Sequence, residues 1–424
     1  METLAVGIVS GQELSPKWVE EVADSLTDLG LSLLWFAPEG MPSPQGVTIK
    51  GMPSGGLDFL LREAKAEGVD LLIIFRPDSL PKGREVREIV GPIREGKASL
   101  TVGVPARGGS LHLLSTLLLR PLLAGLFSIL AEDPLPPLMA LSGAFLQEDV
   151  HEPLLRRLGR HGAPFQILLQ AIIRDRTVVE VPGSYPSREI EDPPVIRKVL
   201  KTALNEVYTR SDQWLKRVGS PLQGLPRLPA QGEGGAFSLP NPRPFLRRFV
   251  RGFNRLYPLF QRLMPEEGEE LRRVVDEGGG FSLDARLWAR IVYRALLSLS
   301  DPRPFTKGDL FNAITVAFFG RAASFVHELW RWREKLKEMD RAEEVLAIIA
   351  EGARERETEA FLGAARDFAK EWEKKKGPKP PPQVTYREYV PGVGLVFPHE
   401  VRGLSLEGVF RGLVERRREA FWGF

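Results

Sequence analysis

A chain of 424 residues, 43% hydrophobic and 27% charged, has the make-up of an ordinary globular protein too long for one core, so two or three domains are expected. Zero cysteines exclude disulfides, thiolate metal sites and cysteine nucleophiles, and five histidines leave little for a His-rich metal site. A net charge of +3 gives no support to nucleic acid as the main partner, while few methionines beside abundant Arg, Glu and Pro fit a protein selected for heat.

Leu4 to Val9 reads as a first strand, followed by a helix that Ser15 caps and Pro16 opens, running to Gly30. Leu31 to Phe36 is the next strand, and a short strand lies among the turns of Pro38 to Gly51. Pro53-Ser54-Gly55-Gly56 opens an amphipathic helix, Leu57 to Glu67. Leu71 to Phe75 is five apolar residues in a row, the pattern of a strand buried on both faces in the middle of a parallel sheet. In open α/β sheets ligands bind outside the carboxyl ends of strands, which is where Arg76, Asp78 and Ser79 stand. The same residues also suit a buried strand running into a Pro-bracketed turn, with Asp78 accepting only local backbone N–H bonds, and the residues alone leave both readings open.

Val86 to Glu95 follows as a helix and Ala98 to Pro105 as a strand. Leu111 to Leu130 is apolar nearly all round but carries Arg120 and Pro121, so a buried helix kinked or split there is expected and a membrane span is not. Leu138 to Phe145 is a short extended piece whose Gly143 suits close backbone approach to a ligand. A helix near Phe165 to Arg174, a strand from Thr177 to Val181 and a helix from Pro194 to Trp214 complete a first domain, residues 1–218. Residues 219–244 are rich in Pro and Gly and read as a linker or an embracing loop. Five helical stretches between Phe245 and Trp372 then make a helical domain, 245–373, and residues 374–424 are a Lys/Pro-rich spacer and an arm that folds back or reaches a second copy, leaving a homodimer open. Met1-Glu2-Thr3-Leu4 opens no signal-peptide pattern, so a cytoplasmic location is expected.

Three pieces, Ser54-Gly55-Gly56-Leu57, Phe75-Arg76-Pro77-Asp78-Ser79, and Leu119-Arg120-Pro121-Leu122-Leu123 with Leu141-Ser142-Gly143, resemble in order and spacing the glucosyl-phosphoglycerate and mannosylglycerate synthases. Phe318 to Val326 resembles a segment of their helical C-terminal domain. The resemblance implies an α/β fold, a GT-A-like (Rossmann-like) mostly parallel sheet followed by an α-helical C-terminal domain. It further implies retaining transfer from a nucleotide-diphosphate sugar to a small, glycerate-type acceptor. Such enzymes hold a divalent cation against the diphosphate with an Asp-x-Asp motif. Here the tripeptide is Arg76-Pro77-Asp78, which leaves Asp78 as the one candidate metal ligand and weakens the case for Mg or Mn.

Other departures run the same way: Ser54-Gly55-Gly56 replaces Gly-Lys-Gly, Ala144 replaces an acid, and Pro186 falls where a His is usual. Two expectations follow. Either Arg76, aided by Lys82 or Arg188, neutralises the leaving diphosphate without metal, with Asp78 orienting it or binding a sugar hydroxyl; or the chain is a degenerate relative that binds or scaffolds a partner, with Arg76 paired to Asp78 or Asp58. The implied substrate contacts are Ser54, Gly55, Gly56, Ser79, Arg120, Leu141, Ser142, Gly143 and Arg188. Arg107, Arg120 and Arg188 suit an anionic acceptor and equally suit ordinary salt bridges. Glu148 and Asp149 supply a carboxylate near the sugar or cap the next helix. No Gly-x-Ser-x-Gly elbow, phosphate loop or dinucleotide fingerprint is present.

Overall fold

The first strand is β1 (Thr3–Ile8), and it has a neighbour on each side, β2 (Ser32–Pro38) and β4 (Leu71–Phe75), both parallel to it. The computed structural model describes residues 3–8, 32–38, 47–52, 57–75, 83–105, 112–158, 162–183, 192–229, 238–276, 282–299, 306–375, 388–390 and 394–396, with Glu21, Val22, Asp24 and Leu26, which are helical. Between the strands of this first part run β3 (Val47–Met52) and α1 (Leu57–Ala66); after β4 come α2 (Gly83–Arg94) and β5 (Leu100–Pro105). All of these match the sequence reading to within a few residues.

A helical run then begins with a π-turn, Ser115–Leu119, and continues as α3 (Arg120–Phe127). The expected irregularity at Arg120-Pro121 is this π-turn, and its cause is local. Pro121 has no N–H to give the Leu117 carbonyl and its ring crowds that oxygen, so the helix widens before it. The Leu117 carbonyl instead accepts the indole N–H of Trp288 at 2.6 Å, from a helix 171 residues away. Ser128, in the left-handed region at φ 55°, ends α3, and β6 (Ile129–Leu130) follows.

Then come β7 (Leu138–Ser142), α4 (Gly143–Glu148), α5 (Glu152–Leu155), α6 (Ala163–Ile173), β8 (Val178–Gly183), α7 (Pro193–Thr209) and α8 (Ser211–Trp214). The strands form one seven-stranded sheet in the order β3-β2-β1-β4-β7-β5-β8, parallel throughout except for β7. β4 is buried along its whole length, as its apolar run requires. It is central, but one of its two neighbours, β7, is antiparallel, so the expectation of a purely parallel environment is corrected.

The described part of the Pro/Gly-rich stretch embraces the sheet rather than leaving it. Its β9 (Gln223–Gly224) pairs with β6, and the Pro226 carbonyl and Leu228 N–H bond the backbone of Glu180 in β8. Helices α9 (Pro242–Leu263), α10 (Pro265–Asp276), α11 (Ala285–Ser298), α12 (Lys307–Leu336) and α13 (Ala342–Lys374) follow. Gly252 and Gly320 let α9 and α12 approach closely, since a Cβ on Gly252 would stand 2.6 Å from Val316 and one on Gly320 would stand 2.7 Å from Phe249. The aromatic stripe of α12, including Phe311, Phe318 and Phe325, is buried packing surface. α12 is long and apolar enough to cross a membrane by length and composition, and 89% of its apolar window is buried within the fold. On that helix Arg321 pairs with the fully buried Glu357 of α13.

Residues 1–375 form one compact unit, so the boundaries expected at 218 and 245 fall inside it, because α13 packs along α3 and α11. Residues 376–424 form a second unit, in which β10 (Glu388–Val390) and β11 (Gly394–Val396) pair antiparallel.

Candidate functional site

The sheet order reverses at β1, with β2 and β3 laid down on one side and β4 on the other, and ligands of open α/β sheets bind outside the carboxyl ends of strands at such a point. Ile8 and Phe75, the last residues of β1 and β4, are paired there. Three strands that precede the sequence-derived segments end on this same edge. Phe75 precedes Arg76, Asp78 and Ser79; Met52, opposite Pro38, precedes Ser54, Gly55 and Gly56; Gly183, opposite Pro105, precedes Arg188. Those seven residues, with Lys82 and Arg107, lie outside the described residues.

Leu141, Ser142 and Gly143 are placed elsewhere. β7 runs antiparallel to β4, so Ser142 is opposite Leu71, at the amino end of the central strand and on the far edge of the sheet from Phe75. Leu141 is buried within β7, and the Ser142 hydroxyl accepts the Phe145 N–H at 3.2 Å as the N-cap of α4. Gly143 does make a close backbone approach, but to its own chain. Its N–H donates to the Asp70 carbonyl at 2.6 Å, and a Cβ would meet the Val69 carbonyl oxygen at 2.7 Å. In the described structure these three serve as strand and helix-cap residues, on the edge away from the one where a donor was expected. Glu148 and Asp149 share that far edge and pair with Arg176, the latter at 2.6 Å, while the next helix, α5, is capped by His151.

Arg120 is the sequence-derived residue that the described structure does set in a polar site. It opens α3 with its side chain 4% exposed, and its Nη2 donates to Glu351 of α13 at 3.1 Å. Its Nε and Nη1 have no hydrogen-bond partner among the described residues. Around it lie groups that no motif announced. Arg354 donates from Nη1 to the Glu132 carboxylate at 2.6 Å and from Nη2 to the Glu132 carbonyl at 3.1 Å. The Glu132 N–H donates to Glu180 Oε1 at 2.6 Å, and Arg227 stands 3.9 Å from Glu132 while donating to the Pro105 carbonyl at 3.3 Å. Pro105 ends β5, and Glu180 lies on β8 opposite Val102, so this network lies toward the carboxyl edge of the sheet and joins it to α13.

The electrostatics follow from burial and neighbours. Burial, with the negative charge of Glu132 beside it, pushes the Glu180 carboxyl up to about 7 against the pull of the Glu132 N–H, Arg227 and Arg120. Glu132 is largely enclosed as well, but Arg354, Arg120 and Arg227 outweigh the burial and hold it below the ordinary carboxylate range. Three guanidinium groups thus face Glu132, Glu351 and a Glu180 that is half protonated near neutrality, which leaves the network suited to an anion.

Beside it, burial would raise Asp133, yet His112, the Ser115 hydroxyl and the Leu135 N–H hold it at about 2. Ser115 Oγ lies 2.9 Å from His112 Nδ1, and Asp133 Oδ1 lies 3.4 Å from that same nitrogen. Serine and aspartate on one ring nitrogen do not make a nucleophilic relay, in which the ring stands between them. The trio anchors the turn that leads from α3 to β7. Among the described residues no group of three or more His, Asp or Glu is arranged to hold a metal ion.

Glu180 carried a signal in the sequence, a lone acid inside Val178-Val179-Glu180-Val181. Arg354 carried none, because its partner Glu132 is 222 residues away in the chain.

No known protein family and no curated protein matches the sequence. In structure the chain is similar to glucosyl-3-phosphoglycerate synthase from Mycobacterium tuberculosis, in a complex with Mn2+, uridine diphosphate and phosphoglyceric acid, at 21% identity over 48% of this chain and 78% of that one, with a TM-score of 0.36. It is also similar to 2-C-methyl-D-erythritol 4-phosphate cytidylyltransferase from Thermus thermophilus, at 14% identity over 48% of this chain and 99% of that one, with a TM-score of 0.30. Likenesses this distant assign no residue of this chain a role.

Proposed function

We propose that the chain is a GT-A-like glycosyltransferase that moves a sugar from a nucleotide-diphosphate sugar to a small anionic acceptor of the glycerate type. The observation that carries this reading is the reversal of strand order at β1 and β4, with an arginine-rich network farther along the same sheet edge. Arg76, first after β4, neutralises the diphosphate by bidentate contact in place of a metal ion, and Asp78 orients it or holds a sugar hydroxyl. Ser54, Gly55, Gly56 and Ser79 line the donor, with Arg188 as a second cation. Arg120, through its unpartnered Nε and Nη1, takes the acceptor's carboxylate or phosphate. In the transfer the acceptor hydroxyl oxygen bonds the anomeric carbon, the bond from that carbon to the diphosphate breaks, and the acceptor's proton leaves on the departing diphosphate.

The test is release of nucleoside diphosphate when UDP-, GDP- and ADP-sugars are each mixed with glycerate or 3-phosphoglycerate in the presence of EDTA. Release that needs both donor and acceptor supports the reading. Donor binding without release with any acceptor replaces it with the non-catalytic, partner-binding one.

A further inference from the structure

α9 carries six arginines and no acidic residue in its 22 residues. Its aromatic face, Phe245, Phe249, Phe253 and Phe260, is buried in the core, which leaves the other side to solvent. On that side Arg243, Arg247, Arg251 and Arg255 follow one another four residues apart, and all four are exposed. None of the four side chains has a hydrogen bond or an ion pair among the described residues. Elsewhere in the helical half the exposed Arg272, Arg290 and Arg356 are each paired with an acid. Residues four apart on a helix form a row about 18 Å long here, slanted by about 26° to the axis, so the arginines run along the solvent side of the first half of α9.

Four unpaired like charges at this spacing repel one another and disfavour the helix, a cost that a counter-charge outside the chain removes. The helix is strongly positive while the chain is only +3, so the remaining residues together are net negative. A molecule with that asymmetry turns one face toward an anionic surface. We propose that the exposed side of α9 docks this protein on an anionic lipid surface through Arg243, Arg247, Arg251 and Arg255.

Two features favour lipid over a nucleic-acid strand. α10 begins immediately past the end of α9 with Glu266, Glu267, Glu269 and Glu270, and Glu269 reaches back to the Tyr257 hydroxyl at 2.6 Å. A rigid polyanion longer than the row meets those acids, whereas mobile lipids gather under the arginines alone. The α9 aromatics that stacking on bases would use are buried, Tyr257 excepted, and Tyr257 is held by Glu269. Because the apolar face of α9 is committed to the core, attachment is electrostatic rather than insertive, and salt reverses it. The inference does not depend on which reaction the sheet edge performs.

The test is co-sedimentation of the full chain with vesicles of phosphatidylcholine alone and of phosphatidylcholine with roughly one third phosphatidylglycerol, at about 0.05 M and about 0.5 M salt. Binding is expected only to the anionic vesicles and only at low salt. The Arg247→Gln/Arg251→Gln/Arg255→Gln variant is expected to lose about 100-fold in partition, about five-fold for each arginine. A charge-matched control at exposed positions on α7 and just past α8, Lys198→Gln/Lys201→Gln/Lys216→Gln, is expected to lose far less, and unchanged circular dichroism shows that both variants fold. Equal binding to neutral vesicles, or equal losses in the two variants, overturns the proposal. Tighter binding to a DNA duplex than to anionic vesicles at the same salt, or self-association that the arginine variant abolishes, also overturns it, in favour of nucleic acid or a second copy.

Discussion

Arg120 on α3 reaches Glu351 on α13 at 3.1 Å, a link between the sheet layer and the last long helix that spans 231 residues of chain. The partners are unlike, since the Arg120 side chain is 4% exposed and that of Glu351 is 43% exposed. Removing the acid therefore leaves a buried cation short of a counter-charge, whereas removing the cation leaves an acid that water solvates. Glu351→Ala is expected to lower stability by about 1–3 kcal/mol and Arg120→Met by about 1 kcal/mol or less. Urea unfolding checks the order. Arg120→Met is also expected to raise the KM for an anionic acceptor with little change in that for the donor.

Glu180 and Asp133 set opposite arms of the pH profile. The folded Glu180 keeps its proton up to about 7, against an ordinary value of 4.5, so the folded state binds more protons than the unfolded one in that window. Stability from this group falls as pH rises through the window, by about 3 kcal/mol at most, and the loss is complete above it. Glu180→Gln, which imitates the neutral acid, is expected to be more stable than the parent at pH 8 and little different at pH 4.5. Asp133 is depressed from 3.8 to about 2, so it stabilises the fold above the upper value and ceases to as pH falls through the lower. Asp133→Asn is expected to cost about 2 kcal/mol at pH 7 and nearly nothing at pH 2. Thermal unfolding of each variant across pH measures both arms.

Gly143 and Gly352 respond oppositely to the same substitution. A Cβ on Gly143 meets backbone atoms, the Val69 carbonyl oxygen at 2.7 Å and Asp70 Cα at 3.0 Å, and backbone does not yield cheaply. Gly143→Ala is expected to cost about 2–4 kcal/mol through displacement of β7 from β4. Gly352 lies inside α13 with nothing within 4 Å of its Cβ position, so Gly352→Ala is expected to add about 0.5–1 kcal/mol. Chemical denaturation of the two variants side by side separates crowding from propensity.

Local signals made much of the fold legible. Thr306 and Asp309 form a capping box at the start of α12, and the bounds of that helix fall where its apolar spacing put them, at Lys307 and Leu336. Pro121 announced the break in the helix before it, though not that Trp288 would take the Leu117 carbonyl. What escaped is what depends on pairing between distant segments. Nothing in Leu138 to Ser142 declares that the strand runs antiparallel between β4 and β5, and that single fact carries Ser142 and Gly143 to the far edge. The Glu132, Glu180 and Arg354 network is assembled from three remote stretches, so no spacing records it. Arg120 was legible as a polar residue in an apolar run.

The measurement that tests the central claim most directly is calorimetric titration of the protein and of Arg76→Ala with UDP-, GDP- and ADP-glucose in EDTA. The parent is expected to bind one donor saturably without metal, and the variant at least ten-fold more weakly, with the fold intact by circular dichroism. Equal affinity in the two proteins, or binding by the parent only when magnesium or manganese is restored, contradicts the claim.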